Sequence, residues 1–526
     1  MKIKTIRLML SWVGCALTGA ALITSCSNDD ILLDSQKTRN AVEDSMTFSG
    51  ISQESATTRT IIYDHTKGGG ASVIWKETDN ILVKDNSGQW RQSATATFPI
   101  ASKKSNALFK LPGRYTGTTH DVVYTNKALR GSQPQVEIKN KQTQSAPNNF
   151  DHAGESGDCG IATATKMGND YKFTLEHKAS YICLIPRSGN AYVNRSKIIK
   201  IEISSEDNIA GVYNIATDGT LSLASGGSKT ITLTTGSGFD IDNTTADMSK
   251  NASYAVIAPG THNLRIRYWL RNTTDNPKGS IDGTVTKYVT LTFVPGSIHD
   301  ITANLNINDF GGTNYYLWDA KKNFWDGHEW NSADPWQPTK FLTTSSQNYP
   351  LPGSDSYNRP RTTTGRFDAT TAHFAALPNA NEMAWYVLKG DPHYDADELW
   401  STMGYLYKGG MWFKKKANIA GFTDSHHPDN ASTDLRDTYT RVAKAASQQL
   451  PVITEMNQYF YLPFLGYYST GSNNYKFQAA SITGYYWTSS AVPSNQTGSY
   501  ALTINKGLAA LQDASPSNGM IIQPFE

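Results

Sequence analysis

From about residue 45 to residue 309 the chain alternates apolar and polar side chains with a period of two. Ile199, Ile201 and Ile203 are separated by Lys200 and Glu202. Ile231 and Leu233 stand among threonines, Leu264, Ile266 and Tyr268 enclose Arg265 and Arg267, and Val289, Leu291 and Phe293 repeat the pattern. Such alternation buries one face of a sheet and wets the other, the habit of antiparallel sandwiches. Asp218-Gly219 and Gly226-Gly227 read as turns between strands. No helical period longer than two turns occurs in this part. Its length suits two β-sandwiches, with the seam expected between residues 186 and 194.

After Gly311-Gly312 the pattern changes. Asn379-Ala380-Asn381-Glu382 ahead of Met383, Trp385 and Tyr386 predicts a capped helix. Asp395-Ala396-Asp397-Glu398 ahead of Leu399, Trp400 and Met403 reads as a second capping box. Strands return at 485–487 and 500–504. No repeat of fixed period is present, which disfavours a propeller or solenoid.

Composition supports the β reading. The chain has 526 residues, 41 of them glycine, with 18% charged and 11% aromatic residues, which argues against disorder. Lys+Arg 48 against Asp+Glu 46 leaves a net charge of +2, so no field of one sign favours nucleic acid or an anionic membrane. The last 217 residues hold 8 of the 12 tryptophans and 17 of the 27 tyrosines, which marks them as a separate domain.

Lys2, Lys4 and Arg7 precede an apolar stretch at 8–23, shorter than the ~20 residues of a membrane span, and together they read as a secretory signal. Ile23-Thr24-Ser25-Cys26 resembles the lipobox of bacterial lipoproteins, which implies cleavage before Cys26 and lipidation of its thiol. Asn28, Asp29 and Asp30 resemble the surface-export signal of Gram-negative gut-type anaerobes. The mature protein is therefore expected to be lipid-anchored at the outer membrane and surface-exposed, touching the membrane only through that anchor. Cys159 and Cys183 remain for the folded part. They are either one disulfide or two separate buried thiols, and are too few for a zinc site by themselves.

Candidate chemistry is sparse. Asp391, Asp395, Asp397 and Glu398 offer carboxylates, but four acids in eight residues more often cap and solubilise. Asp424, His426, His427 and Asp429 form a polar loop cluster that is expected to be solvated. No nucleophile elbow or phosphate loop occurs. No enzymatic activity, no cofactor and no metal are expected. Trp318, Trp325, Trp330 and Trp336 lie within nineteen residues, mixed with Asn, Asp and Gly, and are the candidate ligand-binding aromatics.

Two family resemblances organise these readings. Residues 45–309 resemble the fimbrillin family of type V pilus subunits. The carriers are the lipobox, the strand Met46-Thr47-Phe48-Ser49-Gly50-Ile51, Thr58-Arg59-Thr60, and Val73-Ile74-Trp75-Lys76-Glu77-Thr78-Asp79-Asn80-Ile81-Leu82-Val83. Pro295-Gly296-Ser297-Ile298-His299 leads into the closing strand. The resemblance implies two transthyretin-like antiparallel β-sandwiches. It also implies proteolysis after an arginine, which fits Arg59 better than Arg39, loss of the first strand, and refilling of the groove by another subunit's strand.

Residues 310–526 resemble the C-type-lectin-like domains called the Fibrobacter succinogenes major paralogous domain. The carriers are Leu377-Pro378-Asn379-Ala380-Asn381-Glu382, Leu462-Pro463-Phe464-Leu465-Gly466 and Gly484-Tyr485-Tyr486-Trp487-Thr488-Ser489-Ser490. Thr488 and Ser489 are poor calcium ligands, so calcium-dependent sugar binding is not carried over. The formylglycine-generating chemistry of that fold needs cysteines that this part lacks.

The expected organisation is a signal peptide at 1–25, a tether at 26–44, sandwiches at 45–188 and 189–309, and a C-type-lectin-like α+β domain at 310–526. The domain order implies a pilus tip adhesin whose partners are other subunits, through β-strand addition, and a host or microbial surface protein or glycan. The alternative is a non-polymerising surface lipoprotein that binds glycan or protein. No nucleic-acid partner is expected.

Overall fold

The alternating segments are strands in the computed structural model, which describes residues 45–51, 61–340, 345–346, 350–357, 361–471 and 474–526. The protein is mainly β, built from several sheets with a few short helices. The signal, Cys26, the tether and Arg59 lie outside the described residues.

The first sheet has eight strands. Its order runs Trp90–Gln92, Ile81–Lys84, Thr119–Tyr124, Gly160–Met167, Asp170–Phe173, Ser45–Ile51 and Asn106–Pro112, with Glu176–His177 beside Gly160–Met167. Beyond Gln92 the chain returns to the other end of the sheet. Ala94 N–H donates to Lys110 O at 2.8 Å, and Thr97 and Leu108 exchange backbone bonds. The sheet therefore curls around its own core, which includes Phe48, Trp75, Phe109, Tyr115, Tyr171 and Phe173.

A nine-stranded sheet follows. Its order is Tyr459–Pro463, Tyr405–Lys414, His393–Thr402, Gly279–Phe293, Gly260–Asn276, Lys197–Ser205, Thr230–Asp240 and Lys141–Thr143, with Asn308–Asp309 beside His393–Thr402. Two three-stranded sheets share its core. One is Ser253–Ile257, Ser180–Arg187 and Ile298–Asn304; the other is Leu221–Ser228, Ala210–Ile215 and Gln135–Ile138. Ile201, Ile203, Ile231, Leu233, Leu264, Ile266 and Tyr268 point inward as the alternation requires. A bulge between Ile198 and Lys200 resets the register, so Ile198 rather than Ile199 is fully buried.

The sheets do not divide at a seam between 186 and 194. Gln135–Ile138 and Lys141–Thr143 already pair with strands of the second sandwich, and Ser180–Arg187 lies at the centre of one of its sheets. Gly226-Gly227 is not a turn either. Both residues lie in Leu221–Ser228, where the register shifts, whereas Gly219 does make its turn.

The expected helix appears as Ala380–Lys389. Asn379 Oδ1 accepts from the Asn381 and Glu382 N–H groups, and Glu382 reaches back to the Asn379 N–H at 2.9 Å, completing the capping box. The second capping box does not form a helix. Residues 395–402 belong to the strand His393–Thr402, paired antiparallel with Tyr405–Lys414. Two sheet neighbours outweigh the local signal, and the acids serve contacts across the sheet instead. The remaining C-terminal strands form a six-stranded and a three-stranded sheet around a core rich in rings, among them Trp325, Trp385, Tyr468 and Tyr486. Among the described residues no helix is long and apolar enough to cross a membrane.

Candidate functional site

Two places concentrate the candidate residues: the seat of the first strand and an aromatic cleft in the C-terminal part.

Ser45–Ile51 runs antiparallel to Asn106–Pro112 in seven consecutive register pairs, and parallel to Asp170–Phe173 on its other side. Phe48 fills the seat. Its ring lies 4.7 Å from Tyr171 at an interplanar angle of 9°, and edge-on to Tyr115 at 5.2 Å. Ser49 Oγ donates to Asn106 Oδ1 at 3.0 Å. Position 50 must be glycine, because a Cβ there would lie 2.9 Å from the Trp75 ring and 3.0 Å from Phe173. The strand thus plugs a slot walled by Tyr115, Tyr171, Trp75 and Phe173. Without it, both flanking strands would present unpaired N–H and C=O groups along an apolar groove. The sequence names the strand but not the rings that seat it, since these come from three separate segments.

The four candidate tryptophans do not all line one place. Trp318 and Trp325 are buried in the core. Trp318 Nε1 donates to Thr488 O at 3.0 Å and its ring packs on Phe367 and Phe374, while Trp325 packs on Phe324 and Tyr468. Trp330 is half-buried against the same core. Only Trp336 is open, at 36% exposure; it stacks on His328 with ring centroids 3.4 Å apart, and its Nε1 donates to Asp334 at 3.2 Å.

Trp336 borders a cleft of about 310 Å³ that it shares with Trp325, His328, Pro350, Leu351 and Asp355. Leu351 is 62% exposed at its rim. The volume sits at the small end of ligand pockets. Its carboxylates are already matched: Lys322 Nζ meets Asp326 at 2.7 Å and Lys321 Nζ meets Asp355 at 3.0 Å. Leu351, His328 and the lysines carry no periodic signal in the sequence.

The other candidates serve the architecture. The Trp487-Thr488-Ser489-Ser490 motif is buried; Trp487 Nε1 donates to Tyr316 O at 2.8 Å and Thr488 Oγ1 to Tyr500 O at 3.0 Å. The Asp424–Asp429 loop spreads its groups: His427 Nδ1 accepts from the Asp429 N–H, and Asp429 pairs with Lys389 at 2.6 Å. Cys159 and Cys183 are two separate buried free thiols with no bridge between them. Cys159 O accepts from Lys178 N, whereas Cys183 lies farther along in Ser180–Arg187, at ~3.3 Å per extended residue. Burial pushes both thiols up, and Asp158 beside Cys159 and Asp300 beside Cys183 add to it.

Of the acids at 391–398, Asp391 and Asp397 pair within the C-terminal part, with His393 and Lys408, while Asp395 and Glu398 hold it to the second sandwich. Asp395 Oδ1 accepts from Arg267 Nη2 at 2.8 Å in a buried pair. The Glu398 carboxylate accepts from Thr286 N at 3.1 Å, from Thr286 Oγ1 at 2.6 Å and from Thr284 Oγ1 at 3.0 Å. Burial, then the neighbouring Asp395 charge, pushes Glu398 up to about 7. Burial works against the Arg267 charge, but the surrounding Asp395, Glu398 and Asp397 outweigh it and raise its pKa. Gly283 allows this approach, because a Cβ there would meet the Leu399 side chain at 2.5 Å.

No family model matches the chain, and no curated protein matches its sequence. Among solved structures it is similar to a candidate cell adhesion protein from Bacteroides ovatus ATCC 8483, with 14% identity and a TM-score of 0.31 over 49% of this chain and 91% of that one. It is also similar to the fimbrial anchor protein Mfa2 from Porphyromonas gingivalis, with 11% identity and a TM-score of 0.21 over 48% of this chain and 83% of that one. A fimbrial protein from Bacteroides ovatus ATCC 8483 has 11% identity and a TM-score of 0.23, over 90% of this chain and 96% of that one.

Proposed function

We propose that the protein is a surface-exposed fimbrial subunit that accepts a strand from another subunit and presents its C-terminal part as an adhesin at the pilus tip. The observation that carries this reading is the seat of Ser45–Ile51. A single seven-residue strand from the N-terminal end sits inside the sheet, between two partners, on a floor of aromatic rings. The sequence before it carries the lipobox with Cys26, and the sequence after it carries Arg59. Cleavage after Arg59 would detach the strand from the sandwich while leaving it joined to the lipid. The vacated slot would then accept another extended segment through the same backbone bonds, with alternate apolar side chains in the place of Phe48.

The strand Met520–Ile521 pairs with Tyr315–Tyr316 and Thr483–Ala491 and is buried, so these residues are engaged within their own domain and do not serve as a donor strand. The cleft beside Trp336 is the proposed ligand site, and a glycan is the ligand that its aromatic wall and polar rim suit. Because lysines neutralise its carboxylates, binding needs no calcium.

Expression of Arg59→Ala in native cells tests the assembly step. The variant should keep the full lipidated N-terminus by mass spectrometry and be missing from sheared filaments, whereas wild type begins at Thr60. Normal incorporation of the uncut variant would refute the reading.

A further inference from the structure

We propose that His65, Cys183 and Asp300 form a binding site for one divalent metal ion of the zinc class. The three come from distant parts of the chain. His65 follows the strand Ile61–Tyr63, while Cys183 and Asp300 are direct register partners in the parallel pair of Ser180–Arg187 and Ile298–Asn304. One ligand atom of each lies within 4.8 Å of the other two, and His65 and Cys183 are buried. Nitrogen, thiolate sulfur and carboxylate oxygen are the zinc donor set, and with a water they complete a tetrahedron.

The surroundings orient each donor as metal ligands are usually oriented. His65 Nδ1 faces Gly70 O at 3.2 Å. A carbonyl only accepts, so Nδ1 carries the proton and Nε2 turns its lone pair to Asp300 Oδ1, 2.9 Å away. Either a ring proton or a metal ion fits between Nε2 and this oxygen, and Cys183 beside them offers the metal a third donor. The other carboxylate oxygen, Oδ2, accepts from the Gly68 N–H at 2.6 Å, which fixes the carboxylate plane. Tyr254 packs edge-on to His65 at 6.0 Å and donates its hydroxyl to Asn148 Oδ1 at 2.6 Å.

The charge of the three donors suits a divalent ion. A neutral imidazole, a thiolate and a carboxylate sum to the charge that a divalent ion cancels, which suits a buried place. Binding converts the Cys183 thiol to a thiolate and releases that proton to solvent; no electron moves. The Asp300 side chain keeps 12% exposure, and residues 66–70 above it are exposed, which gives a path for entry.

The site answers a structural need. Among the described residues Ile61–Tyr63 and Ser72–Ile74 form a two-stranded sheet of their own, and such a hairpin gains from being tied to a larger body. A metal held by His65 on one side and by Cys183 and Asp300 on the other would clip this hairpin onto the second sandwich.

The test uses the full chain in detergent, stripped with a chelator and titrated with cobalt(II), then zinc(II). Wild type should take up one cobalt per chain with a thiolate-to-cobalt charge-transfer band, and one zinc should displace it. Zinc should also raise the melting temperature. Cys183→Ser should lose the band. Asp300→Asn and His65→Gln should bind zinc more weakly by a factor of about ten or more, and zinc should no longer stabilise them. A wild type that takes up no cobalt, or a cobalt complex without the band, overturns the proposal whatever the variants do, as does a zinc affinity unchanged in Asp300→Asn. The measurement is independent of cleavage at Arg59, so it stands or falls apart from the assembly reading.

Discussion

The seat of the first strand and the joint between Gly279–Phe293 and His393–Thr402 are both places where distant segments share one sheet, yet they are made of different materials. The seat uses backbone pairing over seven residues and a floor of rings. The joint has one register pair, Thr284 with Glu398, and relies on side chains: the buried Arg267–Asp395 pair, Glu398 on two threonine hydroxyls, and Asn276 Nδ2 donating to Leu406 O at 2.8 Å. Backbone bonds and an apolar floor accept many sequences, provided that the position over Trp75 stays small. A buried ion pair accepts only its own partner, because an unmatched charge is penalised heavily. The first arrangement suits a replaceable segment, and the second a permanent connection.

The contrast is broken most directly at Phe48. Phe48→Ala should cost about 3–5 kcal/mol by the usual cost of emptying a large core site, and Gly50→Val should do comparable harm through Trp75 and Phe173. In calorimetry the loss should fall on the transition of the first sheet, leaving the C-terminal part unchanged. A single transition lowered as a whole would show that the two regions are not independent.

Arg267→Ala comes next. Leaving Asp395 buried without its cation should cost roughly 3–5 kcal/mol, read on the transition of the second sandwich and C-terminal part. The double variant Arg267→Met, Asp395→Leu should recover most of it. If it does not, the joint depends on more than the ion pair.

A smaller effect is expected at Glu398. Its carboxyl binds a proton more tightly folded than unfolded. Stability should therefore fall as pH rises from the ordinary glutamate range towards about 7, and level off above that. Glu398→Gln should flatten this part of the melting-temperature profile and be the more stable form at pH 8. An unchanged slope would mean another group titrates there.

The smallest structural effect is at Trp336. Trp336→Ala should change stability by less than about 0.5 kcal/mol, as surface substitutions do, while abolishing binding to cells or glycan arrays. Binding in wild type should be the same with and without a chelator. Loss in chelator would point to a calcium site that the paired lysines argue against.

What the sequence made legible was local. The strand at 46–51, the capped helix after Asn379 and the strands near 485 and 500 each announce themselves within a dozen residues. Asp395-Ala396-Asp397-Glu398 has the same local appearance, but its meaning comes from Arg267 and Thr286, far away in the chain. The tryptophans sit in irregular chain between Trp318 and Trp336, where no period tells inside from outside. Trp318 turned inward and Trp336 outward for reasons of packing alone. His65, Cys183 and Asp300 meet only because a parallel strand pair and a hairpin bring them together.

Gln135–Ile138 and Lys141–Thr143 find their partners at Gln135–Asn214 through Ile138–Gly211, and at Lys141–Thr232 through Thr143–Thr234. A chain emerging from its N-terminal end in synthesis or export presents these two short strands long before residues 211 and 232 follow. Until then their edges are open. Such late, non-local closure slows folding and exposes sticky edges on the way. The interlock therefore also sets an order of maturation: the first sheet, whose strands lie within residues 45–177, can close early, while the strands at 135–143 wait for residues 211–234.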